Sequence, residues 1–219
     1  MDIIDKNRNV YPKTDYLFID FIFEHLSSDD TYPIFQKMVD LNYPAHYVTE
    51  MKDIYHKYCN NTNNCSTIIN VTRSNYRKYD DFIENHLTLI LKLKAVISCK
   101  ESNFHFIGYL FYRIEYISYI AVTHGICYFK DYLFDKDRVY GIENNNKILI
   151  PPSEILINIA KKYGWKDENI IKLNLPRWDK YNDDNNEFFT KEINNNFTNN
   201  SLLTFLNIVI KICSMQISI

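Results

Sequence analysis

The residues of this 219-residue chain whose types and spacing could do chemistry lie mainly between positions 124 and 179. His124 and Gly125 follow the apolar run 117–122 after a single threonine. A histidine at the end of a strand, beside a residue without a side chain, would present an imidazole that exchanges protons near neutral pH. Such a histidine can also serve only to hydrogen-bond a turn, and the pattern leaves both interpretations open. His25, which follows another apolar run, is the second choice.

Two cations and a serine follow the predicted strands nearby. Lys130 and Arg177 could supply local positive charge to a phosphate-bearing ligand in a chain whose net charge is only -2, or they could be solvated surface residues. Ser153 comes after a short apolar run and a pair of prolines, in the position of a helix N-cap. An N-capped helix start can also bind an anion through its backbone N–H groups.

Apolar runs alternate with amphipathic segments along the chain, which is typical of an α/β fold. We predict strands at 16–23, 45–49, 66–71, 95–98, 117–122, 148–150 and 170–173. We predict helices at 34–41 with an N-cap at Ser28, and at 51–58, 80–93, 106–114 and 155–163, the last closed by Gly164. Parallel strands need such crossovers, so we expect a Rossmann-like, mostly parallel sheet with helices on both faces.

The predicted sheet should gather the candidate residues at one edge. Ligands of open α/β sheets bind at the carboxyl ends of the strands. All four candidates follow such strand ends. We therefore expect one cleft lined by His124, Lys130, Ser153 and Arg177.

Composition excludes several classes of function. The 25 basic residues nearly balance the 27 acidic ones, so we expect no nucleic-acid partner. Only 4 glycines are present, too few for a Gly-rich dinucleotide fingerprint or a Walker loop, and the six histidines lack the spacing of metal ligands. We predict no cofactor and no metal centre.

The cysteines and the amino terminus predict a cytoplasmic protein. The five cysteines are odd in number and contain no C-x-x-C pair, which indicates reduced thiols. The polar, acidic start lacks the features of a secretory signal.

Composition also divides the chain. We predict an α/β domain over 1–180, an Asn-rich linker over 181–200 and an apolar tail over 201–219. The tail is interrupted by polar residues and sits at the lower length limit for a membrane span. It could be the first strand of a further domain, or the product of a shifted reading frame.

Four short blocks, in order, resemble a known family. They are His124-Gly125 with Lys130-Asp131, then Pro152-Ser153-Glu154, Tyr163-Gly164-Trp165 and Pro176-Arg177-Trp178-Asp179. Their order and spacing resemble the CDP-glycerol glycerophosphotransferases, the teichoic-acid polymerase-like transferases. The resemblance covers about residues 80–180.

The resemblance implies one half of a two-domain, metal-independent GT-B transferase. In that family the first domain holds the acceptor, and the second binds CDP-glycerol with further histidines that would lie beyond this chain. By resemblance, His124 is the general base for the acceptor hydroxyl. The substrate-binding residues implied are Gly125, Lys130, Ser153, Glu154 and Arg177.

The function expected from this resemblance is transfer of glycerol phosphate from CDP-glycerol to a cell-surface polymer. The site of action would be the cytoplasmic face of the membrane, with peripheral association. We expect the chain to be truncated and inactive without a donor domain. The alternatives are a non-catalytic acceptor-binding remnant and one half of another GT-B glycosyltransferase.

Overall fold

The computed structural model describes residues 2–19, 31–49, 65–71, 79–98, 114, 116–122, 147–151 and 153–172. The helices in these segments are α1 Asp2–Lys6, α2 Tyr32–Asp40, α3 Tyr79–Lys92 and α4 Glu154–Lys162. The strands are β1 Asp15–Ile19, β2 Ala45–Thr49, β3 Thr67–Asn70, β4 Leu93–Ser98, β5 Ser118–Val122 and β6 Lys147–Ile150. A 3₁₀ turn at Asp167–Asn169 follows α4.

The six strands form one sheet in the order β3-β2-β1-β4-β5-β6, and every pairing is parallel. This is the strand order of the Rossmann fold. Every residue of β1, β2, β5 and β6 is buried. Continuous apolar runs produce such strands because both faces of the sheet are covered. The predicted α/β, Rossmann-like fold class is confirmed.

Helices cover both faces of the sheet. On one face, Leu17 and Ile19 of β1 belong to the same core cluster as Phe82 of α3 and Leu156 of α4. The other face carries the alternate residues of β1 and packs against α2. There the ring of Phe35 lies 5.8 Å from that of Phe18 and 5.2 Å from that of Tyr47, measured between centroids.

Most predicted elements in the described segments are confirmed, with shifts at their ends. The predicted strand 45–49 coincides with β2, and the predicted helix 155–163 corresponds to α4. The predicted helix 80–93 ends one residue earlier, because Leu93 already pairs with Asp15 as the first residue of β4. Helix α1 was not predicted.

Two predictions are wrong. The N-cap of α2 is Thr31 and not Ser28, and Pro33 occupies the first turn, where its fixed φ suits a helix start. The predicted strand 170–173 is reduced to an isolated bridge between Leu149 and Ile170, with the Ile171 N–H donating to the Leu149 carbonyl at 2.9 Å. The 3₁₀ turn immediately before Ile170 leaves little length for a strand.

Other predictions fall outside the described residues. These are the helix 51–58, the helix 106–114 apart from its last residue, the end of the first strand at 20–23, the linker 181–200 and the tail 201–219. The last residue of that helix, Ile114, is described and is not helical. Within the part of the chain that the structure describes, no helix is long and apolar enough to cross a bilayer.

Candidate functional site

The carboxyl edge of the sheet is the first candidate site. Strands β1 and β4 are neighbours in the sheet but not in sequence, so the strand order reverses between them. Open α/β sheets bind ligands at such a switch point. The strands on either side of β1 end in small, buried polar residues, Thr49 of β2 and Ser98 of β4. This edge therefore has the topology of a ligand site.

Ser153 caps α4 at the same edge. It follows β6 by three positions and has extended backbone angles, φ -147° and ψ 156°. Its Oγ accepts a hydrogen bond from the Leu156 N–H at 3.4 Å. The predicted N-cap at Ser153 is confirmed, and the first turn of α4 lies at the carboxyl end of β6.

Glu154, the first residue of α4, carries its charge next to this cap. Its Oε2 lies 3.1 Å from Nζ of Lys172, and both side chains are 62% exposed. An ion pair this exposed contributes no more than about 1 kcal/mol to stability. It does offset the carboxylate charge at the helix start, where an anionic ligand would otherwise be repelled.

The remaining predicted site residues, His124, Gly125, Lys130 and Arg177, and the second choice His25, lie outside the described residues. Strand β5 ends at Val122, two positions before His124 in the sequence. The cleft shared by these residues stays a prediction.

A second polar cluster lies at the opposite, amino-terminal edge of the sheet, and we call it the Asp15–His46–Thr67 chain. His46 Nε2 is 3.1 Å from Asp15 Oδ2, and His46 Nδ1 is 2.8 Å from Thr67 Oγ1. The three residues stand at or next to the first positions of β1, β2 and β3, which are adjacent in the sheet. His46 and Thr67 are register partners.

Asp15 is held as a carboxylate in this cluster. Burial alone would raise its pKa, but hydrogen bonds from His46 and Thr14, with the charges of His46 and Lys92, outweigh it and leave the pKa below its usual value. The Thr14 hydroxyl lies 2.6 Å from Asp15 Oδ1. Both carboxylate oxygens therefore have partners.

His86 of α3 is electrostatically linked to the same cluster. Its burial lowers its pKa, and the charge of His46 lowers it further. Its ring lies 4.6 Å from that of Phe82, and its backbone, at φ -128° and ψ 21°, marks a kink in α3. The neutral imidazole is the favoured form at this position.

Sequence reasoning missed the Asp15–His46–Thr67 chain. His46 is 31 residues from Asp15 and 21 from Thr67, so no local spacing connects them. The one available signal was a polar residue near the start of each of three consecutive predicted strands. In the described segments no group of three or more His, Cys, Asp or Glu residues could hold a metal ion.

Comparison with protein-family models finds no match, and no curated protein sequence matches the chain. Two solved structures are similar to it. A variant of the wall teichoic acid polymerase TagF aligns over 82% of this chain and 42% of its own, with 19% identity and a TM-score of 0.49. The variant soaked with CDPG aligns over 82% and 43%, with 17% identity and a TM-score of 0.46. The chain thus spans less than half the length of these proteins.

Proposed function

We propose that this chain forms the acceptor-side half of a transferase that moves a polyol phosphate from a CDP-activated donor to a polymer hydroxyl. The observation that carries the proposal is the order of the sequence blocks along a sheet with Rossmann strand order. The block at Ser153-Glu154 opens α4 directly after β6, and the block at His124-Gly125 follows β5 in sequence. Both follow strands whose carboxyl ends lie at the ligand-binding edge of such a fold.

His124 would act as the general base. It takes the proton of the acceptor hydroxyl as that oxygen attacks the phosphorus bonded to the polyol. The bond from this phosphorus to the bridging oxygen breaks, and CMP leaves. A neutral imidazole suits this step, because its unperturbed pKa of about 6.5 lies close to neutral pH.

Phosphate charge would be met by the other predicted residues. Lys130 and Arg177 supply cations, and the start of α4 supplies backbone N–H groups. Ser153 uses the Leu156 N–H for its cap, so the preceding N–H groups of the helix remain for an anion. The ion pair with Lys172 offsets the negative charge of Glu154, so that this carboxylate repels a bound phosphate less.

The proposal assigns residues 1–180 to the acceptor side, with 181–200 as a linker to a donor-binding part. Association with the membrane would be peripheral, through the acceptor. The alignment covers only 42% of the TagF chain. Catalysis by a complete enzyme, with a donor-binding part joined to this chain, therefore belongs to the proposal.

A chimera tests the catalytic role. The chain is joined to the donor-binding half of TagF, and CMP release from CDP-glycerol is measured with a glycerol-phosphate oligomer as acceptor. His124→Ala should lower turnover roughly 10²- to 10⁴-fold, as expected for loss of a general base. His105→Ala, which alters a histidine outside all the blocks, serves as the matched control and should leave turnover unchanged. Near-normal turnover of His124→Ala would show that His124 is structural.

Binding to the unmodified chain separates the alternatives. By calorimetry we expect CDP-glycerol to bind the 219-residue chain weakly or not at all, and the acceptor oligomer to bind. Micromolar binding of CDP-glycerol together with CMP release would contradict an acceptor-side assignment. Acceptor binding with an inactive chimera would favour the non-catalytic alternative.

A further inference from the structure

We propose that Thr67 is an activated hydroxyl that accepts an acyl group from an activated carboxylic ester, with His46 as its base and Asp15 orienting that base. The proposal is independent of the transferase function, since these residues lie at the opposite edge of the sheet from the predicted transferase site. It rests on the geometry of the Asp15–His46–Thr67 chain, its burial and the backbone around Thr67.

The hydrogen bonds set the direction of proton transfer. An ionised carboxylate only accepts hydrogen bonds, so the His46 nitrogen that faces Asp15, Nε2, carries the hydrogen. To act as a base the ring must be in its neutral form, and in that form Nδ1 has its lone pair directed at Thr67 Oγ1, 2.8 Å away, so that the hydroxyl donates to it. A base held by a carboxylate and bonded to a hydroxyl is the arrangement that activates a nucleophile.

The three residues of the Asp15–His46–Thr67 chain differ in burial as an activated hydroxyl requires. Asp15 and His46 are 8% and 7% exposed, whereas Thr67 is an exposed residue. A shielded pair keeps the imidazole in one orientation and away from competing water. Thr67 is exposed as a residue, so a reagent can approach it from the solvent side.

The surroundings of Thr67 favour a carboxylic ester over a phosphate. The hydroxyl contacts His46, and none of the described residues brings a Lys or Arg side chain to it that could neutralise a phosphoryl group. A carbonyl needs only a donor for its developing oxyanion. In esterases and related hydrolases, the backbone N–H of the residue after the nucleophile is one such donor.

The residue after Thr67 has a backbone N–H that faces the open side of β3. The Val71 N–H donates to the Thr49 carbonyl at 3.0 Å, which directs the N–H groups of alternate residues, Thr67 included, toward β2. The N–H of Ile68, immediately after Thr67, therefore points away from β2. Because β3 is the edge strand of the described sheet, no further strand of that sheet takes this donor.

The reaction balances without an additional reagent. Thr67 Oγ1 bonds to the carbonyl carbon as its proton passes to His46 Nδ1, and the bond from that carbon to the leaving oxygen breaks. The leaving alcohol takes the proton from Nδ1. Water releases the acyl group by the same steps, forming a carboxylic acid and restoring the hydroxyl.

The test uses p-nitrophenyl acetate and the whole 219-residue chain with a Cys65→Ala background, because the exposed Cys65 thiol would itself be acetylated. Nitrophenol release is followed by absorbance, and the acetylated residue is located by peptide mass spectrometry. We expect acetyl on Thr67, abolished by Thr67→Val and retained by Thr67→Ser. His46→Gln should slow the acetylation of Thr67 roughly 10²- to 10⁴-fold.

The Thr67→Val change is decisive because it removes the hydroxyl and keeps the β-branched shape. It also takes the hydrogen-bond partner from the buried Nδ1 of His46, so we expect a lower melting temperature but a folded protein, which circular dichroism checks. If Thr67→Val reacts as fast as its parent, or if acetyl is found only on lysines or on Ser66, the proposal is overturned. The Asp15–His46–Thr67 chain would then be a polar contact that joins three strands. Should His46→Gln fail to fold, the comparison of Thr67→Val with Thr67→Ser still decides.

Discussion

At the scale of single residues, both ends of α4 depend on one residue each. Ser153 satisfies a backbone donor of the first turn through its Oγ. Gly164 follows the last turn with a positive φ of 97°, a conformation that residues with a Cβ rarely adopt. The Gly164 N–H donates to the Lys161 carbonyl at 3.0 Å, which closes the helix.

Ser153→Ala should lower the free energy of unfolding by about 1 kcal/mol, because the Leu156 N–H loses its acceptor. Urea denaturation measures the change. Ser153→Asn keeps a capping oxygen and is the matched control, with an expected loss well below that of alanine. Equal losses in the two variants would show that the cap does not stabilise α4.

Gly164→Ala should cost about 1–2 kcal/mol through backbone strain alone. A Cβ built at Gly164 has no neighbour within 4 Å, so steric overlap adds nothing. Gly164→Asn should cost less, since asparagine tolerates positive φ better than alanine. A thermal denaturation series of the three proteins checks the order, and an alanine variant as stable as the parent would refute the strain argument.

At the scale of elements, α4 shows how an amphipathic helix is fixed to the sheet. Leu156 and Ala160 are buried in the core cluster that includes Leu149 of β6, whereas Ile155 is 51% exposed. The helix therefore contributes stability through one face. Its short length makes that packing more important than intrinsic helix propensity.

Leu156→Ala should destabilise the protein by about 2–5 kcal/mol, because it removes a buried side chain and leaves a cavity. The adjacent Ile155→Ala should change stability by no more than about 0.5 kcal/mol, since this side chain is largely in water. The measurement is the difference between the urea unfolding midpoints of the Leu156→Ala and Ile155→Ala variants. Similar losses at both positions would contradict the placement of α4 on the sheet.

At the scale of the whole molecule, two titrating groups make the fold sensitive to acid. The pKa of Asp15 is lowered in the folded state, so its stabilisation is lost as pH falls through that pKa. The pKa of His86 is also lowered, so the unfolded chain takes up a proton at higher pH than the folded one. Stability should therefore fall in two steps, first below about pH 6.5 and then below about pH 3.9.

His86→Gln should remove the part of the first step that belongs to this histidine. The expected result is a flatter dependence of the unfolding free energy on pH between about 7 and 5, relative to the parent. Denaturation at a series of pH values measures it, and the matched control is Gln36→Ala on α2, whose side chain does not titrate. A parallel pH profile for parent and His86→Gln would mean that His86 titrates alike in both states.

The sequence by itself determined the fold class and most element positions. Apolar runs such as that of β5 and the cap at Ser153 are local signals, because strand burial and helix capping involve neighbouring residues. The predicted strand 170–173 did not form as such, because only contact with β6 decides how far Ile170 can pair. The same reason moved the start of β4 to Leu93, opposite Asp15.

Only the tertiary structure decided the strand order and the Asp15–His46–Thr67 chain. Asp15, His46 and Thr67 look like isolated polar residues at the starts of three strands, and nothing in their spacing says that β2 lies between β1 and β3. That order depends on the crossovers and on packing of both sheet faces, which are properties of the assembled core. His46 is 31 positions from Asp15 and 21 positions from Thr67 in the sequence, so these contacts exist only once the sheet has formed.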